Sequence, residues 1–146
     1  NLILQKRRPI IYGNGEQTRN FSDIDDCIYC LDKLITDKKI VSQIFNIGPD
    51  EDSITINELY KIICNKLQFN EQAEYVDERP NEVKHAICSS DKARKYLNYK
   101  TSIKLSDSID RVINYIKKHG AKKFEYNYEL EINNKLTPAT WKNKKF

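Results

Sequence analysis

Short apolar runs bounded by turn residues recur along the first ninety residues of the chain. The clearest one, Pro9–Tyr12, stops at the Gly13-Asn14-Gly15 turn. A run of this length that is closed by glycine or proline is typical of a short buried strand. The strands that this pattern predicts are Pro9–Tyr12, Arg19–Ser22, Gln43–Ile47, Ala73–Asp77 and a short one near Ala86 and Ile87.

Between these runs, apolar residues recur at steps of three and four, which predicts amphipathic helices. The first helix is expected to be capped by Ser22 and to end near Asp37, and a capping box of Thr55 and Glu58 opens the second. Two more helices are predicted, from Asp91 to Leu97 and from Ser106 to Gly120. The stripe that we expect the first helix to bury is Ile24, Cys27, Ile28, Leu31, Leu34 and Ile35.

The mixture of strands and helices predicts a small mixed α/β domain over residues 1–120, followed by a carboxyl-terminal arm over residues 121–146. After Gly120 the apolar period changes to two, and the last residues are rich in Lys and Asn around an isolated Trp141. This segment is either an arm that lies on another surface or partly disordered, and we favour the arm. The alternating residues are Phe124, Tyr126, Tyr128, Leu130 and Ile132.

Composition narrows the class of protein. The 146 residues are 39% hydrophobic and 32% charged, which fits one compact domain. The net charge of +4 is too mild and too evenly mixed to favour a nucleic-acid or membrane partner. No apolar run is long enough to span a membrane, and no secretory signal opens the chain, so the default expectation is a cytoplasmic location. Because the sequence lacks methionine and begins with Asn1, we expect it to be a piece of a longer protein.

Several candidate motifs have simpler explanations. Cys27, Cys30, His85 and Cys88 have the residue types of a zinc site, but a free thiol on an apolar helix face behaves as a small hydrophobe. With His119 as the only other histidine, a catalytic triad and hence a hydrolase are not favoured. Two Tyr-x-x-x-Lys pairs, Tyr29 with Lys33 and Tyr96 with Lys100, are expected by chance in so tyrosine- and lysine-rich a chain.

Arginines are scarce, six beside nineteen lysines, and two of them occupy loop positions. Arg19 follows the Gly13-x-Gly15 turn, which lacks the third glycine and the helix of a dinucleotide loop, and Arg79 precedes Pro80. A guanidinium can bind phosphate oxygens through two parallel hydrogen bonds, whereas a lysine cannot. These two residues are either phosphate ligands or ordinary surface arginines.

Four motifs in order along residues 1–119 resemble the NAD-dependent sugar-nucleotide epimerase and dehydratase family of extended short-chain dehydrogenases. Any one of them is weak evidence, but four in the family's order and spacing are specific. Asn81 and Asn98 stand where the family often has glycine, and asparagine tolerates the same left-handed backbone. The motifs are 11-IYGNGEQTRNF-21 with Asp25-Asp26, 45-FNIG-48 with 53-SITINEL-59, 78-ERPNEVKH-85, and 91-DKA-93 with 97-LNY-99.

The resemblance implies a substrate-binding domain that packs on a Rossmann half absent from this chain. That half would bind NAD and carry the catalytic Tyr-Lys pair, so the fragment alone is expected to be inactive. The implied partners are a UDP-sugar or a related nucleotide-sugar, the missing amino-terminal half and, in the full enzyme, a second copy. The family includes epimerases, dehydratases and decarboxylases; we take an epimerase like UDP-glucose 4-epimerase as the first interpretation.

The resemblance also assigns roles to residues. Arg19 and Arg79 match the two arginines that bind the pyrophosphate, and Glu82 matches the acidic residue that accepts a ribose hydroxyl. Ile10 through its backbone, and Tyr12 through its backbone or ring, match the strand that lines the base, although Tyr12 also fits a purely structural aromatic. The alternative function is a non-catalytic module that binds RNA or protein through its basic, aromatic tail.

Overall fold

The computed structural model describes residues 1–49, 52–123, 125 and 129–144. The fold is small and of mixed α/β type, as the sequence predicts. Among the described residues no helix is long and apolar enough to cross a bilayer. The strands are β1 (Ile10–Tyr12), β2 (Thr18–Arg19), β3 (Ile54–Thr55), β4 (Glu74–Val76) and β5 (His85–Ala86). The helices are α1 (Ile24–Thr36), α2 (Ile56–Leu67), α3 (Asp91–Leu97), α4 (Leu105–His119) and α5 (Ala139–Lys142).

The chain divides into two compact units, each built from separate stretches of sequence. The first unit holds Asn1–Gln17, Thr55–Lys84 and the described part of Ile113–Phe146, and the second holds Thr18–Ile54 and His85–Val112. Helix α4 therefore begins in the second unit and ends in the first. The domain boundary expected at residue 120 stays a prediction.

In the first unit, β1 and β4 form a parallel pair that brings Tyr12 opposite Val76. Parallel strands need a long crossover, and α2 is part of it here. The guanidinium of Arg8 joins the starts of the two strands, because its Nε donates to the carbonyl of Gln72 at 2.7 Å and its Nη2 to that of Ala73 at 3.0 Å. The two strands consequently end side by side.

The predicted capping box of α2 is present. The amide of Glu58 donates to the hydroxyl of Thr55 at 3.0 Å, and the Glu58 carboxylate accepts from the Thr55 amide at 2.7 Å. The bond from the Thr55 amide, more than any other interaction, lowers the pKa of the Glu58 carboxyl. Next to it, the side chain of Asn57 donates to the carbonyl of Asn14 at 2.9 Å, so the start of α2 holds the turn that follows β1.

In the second unit, β2 pairs in parallel with β5, and α1 packs against α3. Helix α3 has the bounds predicted for it and ends at Asn98, whose φ of 54° is the expected left-handed conformation. Asn81, in the first unit, also has a positive φ of 60°. The buried core of the second unit consists of Cys30, Ile40, Ala93, Leu97 and Tyr99.

Helix α1 differs from the prediction at its start and on its buried face. Asp23 caps the helix instead of Ser22, because its backbone is extended and its carboxylate accepts from the amide of Asp25 at 3.0 Å. The buried positions are Asp26 and Cys30, one turn apart, and the Asp26 carboxylate accepts from the amide of Ser102 at 3.2 Å. Most of the predicted apolar stripe is exposed: Ile24 66%, Ile28 53%, Leu31 52% and Ile35 85%.

Two other predictions are wrong in detail. Gln43–Ile47 forms no strand, since the described residues offer its backbone no neighbouring strand, and Ile44 is 85% exposed. Ser106 lies inside α4 instead of capping it, because the helix begins at Leu105 and the carbonyl of Lys104 already accepts from helical amides. The predicted end of α4 is confirmed by Gly120, whose φ is +81°.

Candidate functional site

The site begins where β1 and β4 end. Tyr12 is the last residue of β1, and Ile10 lies two positions earlier, on the same face of the strand. Gly13 follows directly, and its amide donates to the carbonyl of Val76 at 2.8 Å. The loops that leave the carboxyl ends of two parallel strands start at the same sheet edge, which is where open α/β folds place their ligand sites.

Arg79, in the loop after β4, lies over the aromatic ring of Tyr12. Its guanidinium carbon is 4.5 Å from the ring centroid, which is cation–π distance. The same guanidinium donates to Glu82, with Nη2 to Oε1 at 2.7 Å and Nε to Oε2 at 3.4 Å. Glu82 is nearly buried, with 11% of its side chain exposed, while 42% of Arg79 is exposed. The guanidinium is therefore held in place and still open to solvent.

The backbone of the loop makes this pairing possible. Asn81 has a φ of 60°, and the amide of Glu82 donates to the carbonyl of Arg79 at 3.3 Å. This turn brings the side chains of Arg79 and Glu82 to the same side, although only two residues separate them. A residue with a branched side chain at position 81 would resist that backbone conformation.

Tyr12 is fixed from three directions. Its carbonyl accepts a hydrogen bond from the side-chain amide of Gln17 at 3.0 Å, and its hydroxyl hydrogen-bonds to the hydroxyl of Thr140. The guanidinium of Arg79 stacks on its ring. Gln17 is buried, and so is Thr140. These three contacts fix the orientation of the Tyr12 ring, and the residue is half-buried.

A pocket of about 490 Å³ lies beside Tyr12 in the first unit. Its size is within the range of small-molecule sites. One side comes from the ends of β1 and β4 with the loop that follows, and the other comes from the carboxyl-terminal segment. The lining residues are Tyr12, Val76, Asp77, Glu78, Pro80, Lys135, Thr137, Pro138, Ala139, Thr140, Lys142 and Asn143.

Of the five residues predicted for the site, four lie in the first unit. Arg79 contacts both Tyr12 and Glu82, and Ile10 lies on the same strand as Tyr12. Arg19 belongs to the second unit, at the end of β2, where its Nη1 donates to the carbonyl of Thr18 at 2.7 Å. The pairing of Arg19 with Arg79 on one pyrophosphate stays a prediction.

The structure gives the zinc interpretation no support. Within the part of the chain that the structure describes, no three His, Cys, Asp or Glu side chains are grouped to hold a metal ion. Cys27 and Cys30 are free thiols, and burial is the main reason why the pKa of each is raised. These thiols are therefore protonated at neutral pH.

The glycine turn does not fit NAD. It leads into strand β2, whereas a dinucleotide loop opens a helix whose amides bind the pyrophosphate. The side chain of Asn57 also occupies the space beside Gly15, because a Cβ atom built on Gly15 would lie 2.1 Å from Oδ1 of Asn57. In the first of the two Tyr-x-x-x-Lys pairs, the Lys33 ammonium lies 5.7 Å from the ring centroid of Tyr29, which is cation–π distance.

Sequence reasoning missed the pocket residues of the carboxyl-terminal segment. Lys135, Thr140 and Lys142 all line the pocket, yet none was a candidate. The available signal was Trp141, a single large aromatic in an otherwise polar stretch. The alternating aromatic residues Phe124, Tyr126 and Tyr128 lie outside the described residues.

Comparison with known proteins gives consistent results in sequence and in structure. The chain is 33% identical over 115 residues to the "Putative UDP-glucose 4-epimerase" of Methanocaldococcus jannaschii, covering 79% of this chain and 36% of that protein. It is 27% identical over 117 residues to the UDP-glucuronate 4-epimerase of Thermodesulfobacterium geofontis, covering 80% of this chain and 36% of that protein. No protein-family model matches the sequence.

Solved structures show the same relationship. The UDP-glucuronic acid 4-epimerase of Bacillus cereus, in complex with UDP-glucuronic acid and NAD, matches with a TM-score of 0.76 and 28% identity. The match covers 81% of this chain and 38% of that one. The sequence and the fold therefore both relate this chain to proteins named as sugar-nucleotide 4-epimerases. The chain is a homologue of the NAD-dependent sugar-nucleotide 4-epimerases of the extended short-chain dehydrogenase family, and it spans about 36% of the length of the curated relatives that it matches.

Proposed function

We propose that this chain is the substrate-binding part of a nucleotide-sugar epimerase and that Tyr12, Arg79 and Glu82 bind the nucleoside diphosphate of a UDP-sugar. The observation that carries the proposal is the guanidinium of Arg79, which stacks on Tyr12 and pairs with Glu82 while 42% of the side chain stays exposed. Tyr12 and Pro80, which neighbour Arg79 in space and in sequence respectively, line a pocket of about 490 Å³, although Arg79 and Glu82 do not line it themselves. A fixed, planar cation is suited to phosphate oxygens. Binding the nucleoside diphosphate would orient the attached sugar for a reaction in the NAD-binding half of the enzyme.

The other predicted roles complete this proposal. Arg19 contributes a second guanidinium to the pyrophosphate, Glu82 accepts a ribose hydroxyl, and the strand around Ile10 and Tyr12 lines the uracil. In the B. cereus epimerase structure the bound ligands are UDP-glucuronic acid and NAD, which supports a uridine diphosphate for this chain. A dehydratase or decarboxylase would bind the nucleotide through the same residues. The first interpretation remains an epimerase.

We infer that NAD is bound by a Rossmann half that lies outside these 146 residues. The support is in the second unit, where Ile24, Ile28, Leu31 and Ile35 form an exposed apolar stripe on α1. An apolar stripe of this kind is normally covered by another part of the protein. Near it in sequence, the segment 43–47 has an apolar pattern typical of a strand but no strand neighbour among the described residues. The chain alone is expected to show no NAD-dependent turnover of UDP-glucose.

The grip on the nucleotide can be tested by calorimetric titration of the 146-residue chain with UDP, UMP and uridine. Arg79→Gln is expected to weaken UDP binding about tenfold or more, because a charged hydrogen-bonding group is lost. Arg94→Gln is the matched control, since Arg94 also pairs with a carboxylate three residues away at 2.7 Å and is similarly exposed. Unchanged UDP affinity in Arg79→Gln, or no UDP binding by the unmodified chain, would overturn the proposal.

The same titration separates the alternative function. A module that binds RNA through its basic tail would prefer a single-stranded oligonucleotide, and its affinity would fall steeply with salt. The sugar-nucleotide proposal expects UDP to be bound in preference to the oligonucleotide at 0.15 M salt. The reverse order of affinities would favour the RNA-binding module.

A further inference from the structure

We propose that residues 134–144 of the carboxyl-terminal arm form one wall of the nucleotide site and that Lys135 and Lys142 bind the phosphate oxygens of the ligand. This inference rests on the proposed function and extends it to residues that were not site candidates. The ligand class is a nucleoside diphosphate, free or as the handle of a sugar nucleotide.

The arm is anchored on the proposed base-binding residue. The hydroxyl of Thr140 hydrogen-bonds to the hydroxyl of Tyr12, although 127 residues separate them in sequence. Thr140 is 3% exposed, so this contact lies at a packed junction. The arm therefore contacts the same tyrosine on which the guanidinium of Arg79 stacks.

The arm also has a defined conformation of its own. Asn134 accepts from the amide of Leu136 at 2.8 Å through Oδ1, and its backbone carbonyl accepts from the amide of Thr137 at 3.1 Å. The hydroxyl of Thr137 donates to the carbonyl of Ile132 at 3.0 Å. Pro138 then leads into α5, which carries Thr140 and Lys142. The backbone that bears Lys135 and Lys142 is therefore held in a defined position relative to the pocket.

Charge gives the arm its role in the pocket. The strand side contributes the carboxylates of Asp77 and Glu78, and the arm contributes the ammonium groups of Lys135 and Lys142. A wall of carboxylates alone would repel a diphosphate, even though Glu78 pairs with Lys84. The two lysines offset those charges, and both are exposed, without an ion-pair partner among the residues described. They are therefore positioned to meet an anionic ligand.

This arrangement predicts a specific signature in ligand binding. Uridine carries no charge, so its affinity should not depend on the lysines. UDP carries phosphates and should depend on them. Comparing the change in UDP affinity with the change in uridine affinity therefore separates the contribution of the two lysines from any general disturbance of the pocket.

The test uses Trp141, which is the only tryptophan of the chain and lies between Thr140 and Lys142. The 146-residue chain is titrated with UDP and with uridine, and binding is followed by Trp141 fluorescence and by calorimetry. The double variant Lys135→Gln/Lys142→Gln is compared with Lys118→Gln, an exposed lysine near the end of α4 that does not line the pocket. We expect the double variant to bind UDP about tenfold more weakly and uridine equally well, with Lys118→Gln unchanged.

Three outcomes would overturn the inference. If the double variant binds UDP as well as the unmodified chain does, while Arg79→Gln does not, the arm has no phosphate role and the proposed function stands. If the double variant binds UDP more tightly, the arm competes with the ligand instead of holding it. Failure of the unmodified chain to bind UDP would overturn the proposed function itself, and this inference with it.

Discussion

The guanidinium of Arg79 lies over the ring of Tyr12, its central carbon 4.5 Å from the ring centroid, while its nitrogens donate to the carboxylate of Glu82. The pair with Glu82 fixes the plane of the guanidinium, and the ring supports one face. An anion that approaches the solvent side meets a cation whose orientation is already set. For the proposed function, this geometry predicts a preference for a ligand with paired phosphate oxygens over one with a single charge.

Replacing Arg79 with lysine keeps the charge but removes this geometry. A lysine ammonium is a point charge and cannot bind phosphate through two parallel hydrogen bonds. We expect Arg79→Lys to bind UDP about tenfold more weakly, and UMP with a smaller loss, measured by calorimetry. Arg94→Lys provides the control. Equal affinity for UDP in Arg79→Lys and the unmodified chain would show that charge alone matters.

The two hydroxyls of Tyr12 and Thr140 form a pair whose members should act together. Tyr12→Phe or Thr140→Val removes one hydroxyl and leaves the other buried without that partner, a cost of about 1 to 3 kcal/mol. The double variant is expected to cost less than the sum of the singles. Urea unfolding followed by Trp141 fluorescence measures each free energy. Additive costs would mean that the hydroxyls do not interact in solution.

Gly15 and Gly120 both have left-handed backbones, with φ of +75° and +81°, but only Gly15 is crowded. A Cβ at Gly15 would lie 2.1 Å from Oδ1 of Asn57, whereas a Cβ at Gly120 meets nothing within 4 Å. Asn57 cannot move cheaply, because its side chain donates to Asn14 and accepts from the hydroxyl of Tyr75.

We therefore expect Gly120→Ala to lower the free energy of unfolding by about 1 to 2 kcal/mol, the cost of a left-handed alanine. Gly15→Ala should cost about 1 to 3 kcal/mol more, because overpacking is added to that strain. Chemical denaturation of the two variants makes the comparison. Equal costs would mean that the turn after β1 is not held against α2 as the structure shows.

Much of this fold follows from local sequence signals. The capping box of Thr55 and Glu58, the left-handed Asn98 and the end of α4 at Gly120 depend on neighbouring residues only, and each is confirmed. The resemblance to sugar-nucleotide epimerases is also confirmed, by 33% identity over 115 residues to one relative and by a TM-score of 0.76 to a solved epimerase structure.

The remaining features depend on partners that local patterns do not show. The apolar period of α1 predicts a buried stripe, but the helix packs through Cys30 and the hydrogen-bonded Asp26 instead. Gln43–Ile47 has the composition of a strand and lacks a neighbouring strand among the described residues. Thr140 reaches Tyr12 from the far end of the sequence, and no periodicity could have indicated that contact.

Stability of the second unit should depend on pH through Asp23. Its carboxylate accepts from the hydroxyl of Ser108, the amide of Asp25 and the guanidinium of Arg111. The bond from Ser108, followed by that from the Asp25 amide, lowers the pKa of Asp23 below its ordinary value of 3.8. A carboxyl whose pKa is lower in the folded state stabilises the fold above its unfolded pKa, and that contribution is lost as the pH falls through the folded pKa.

Asp23→Asn should consequently destabilise the chain by about 1 to 2 kcal/mol at pH 7, and the difference from the unmodified chain should shrink below about pH 4. Urea unfolding across this pH range gives the difference directly. Asp32→Asn, an exposed aspartate on the same helix, should stay within about 0.5 kcal/mol. A pH-independent cost for Asp23→Asn would show that its charge plays no part.

The apolar stripe on α1 supplies the last prediction. Ile28 and Ile35 are 53% and 85% exposed, so Ile28→Glu and Ile35→Glu should change the unfolding free energy of the 146-residue chain by less than about 0.5 kcal/mol and reduce binding of a hydrophobic dye. Leu97→Ala, at a buried position, should cost about 2 to 5 kcal/mol. In a longer chain that joins these residues to the NAD-binding half, a covered stripe would make both glutamate variants strongly destabilising. Equal tolerance in the short and the long chain would mean that the NAD-binding half packs elsewhere.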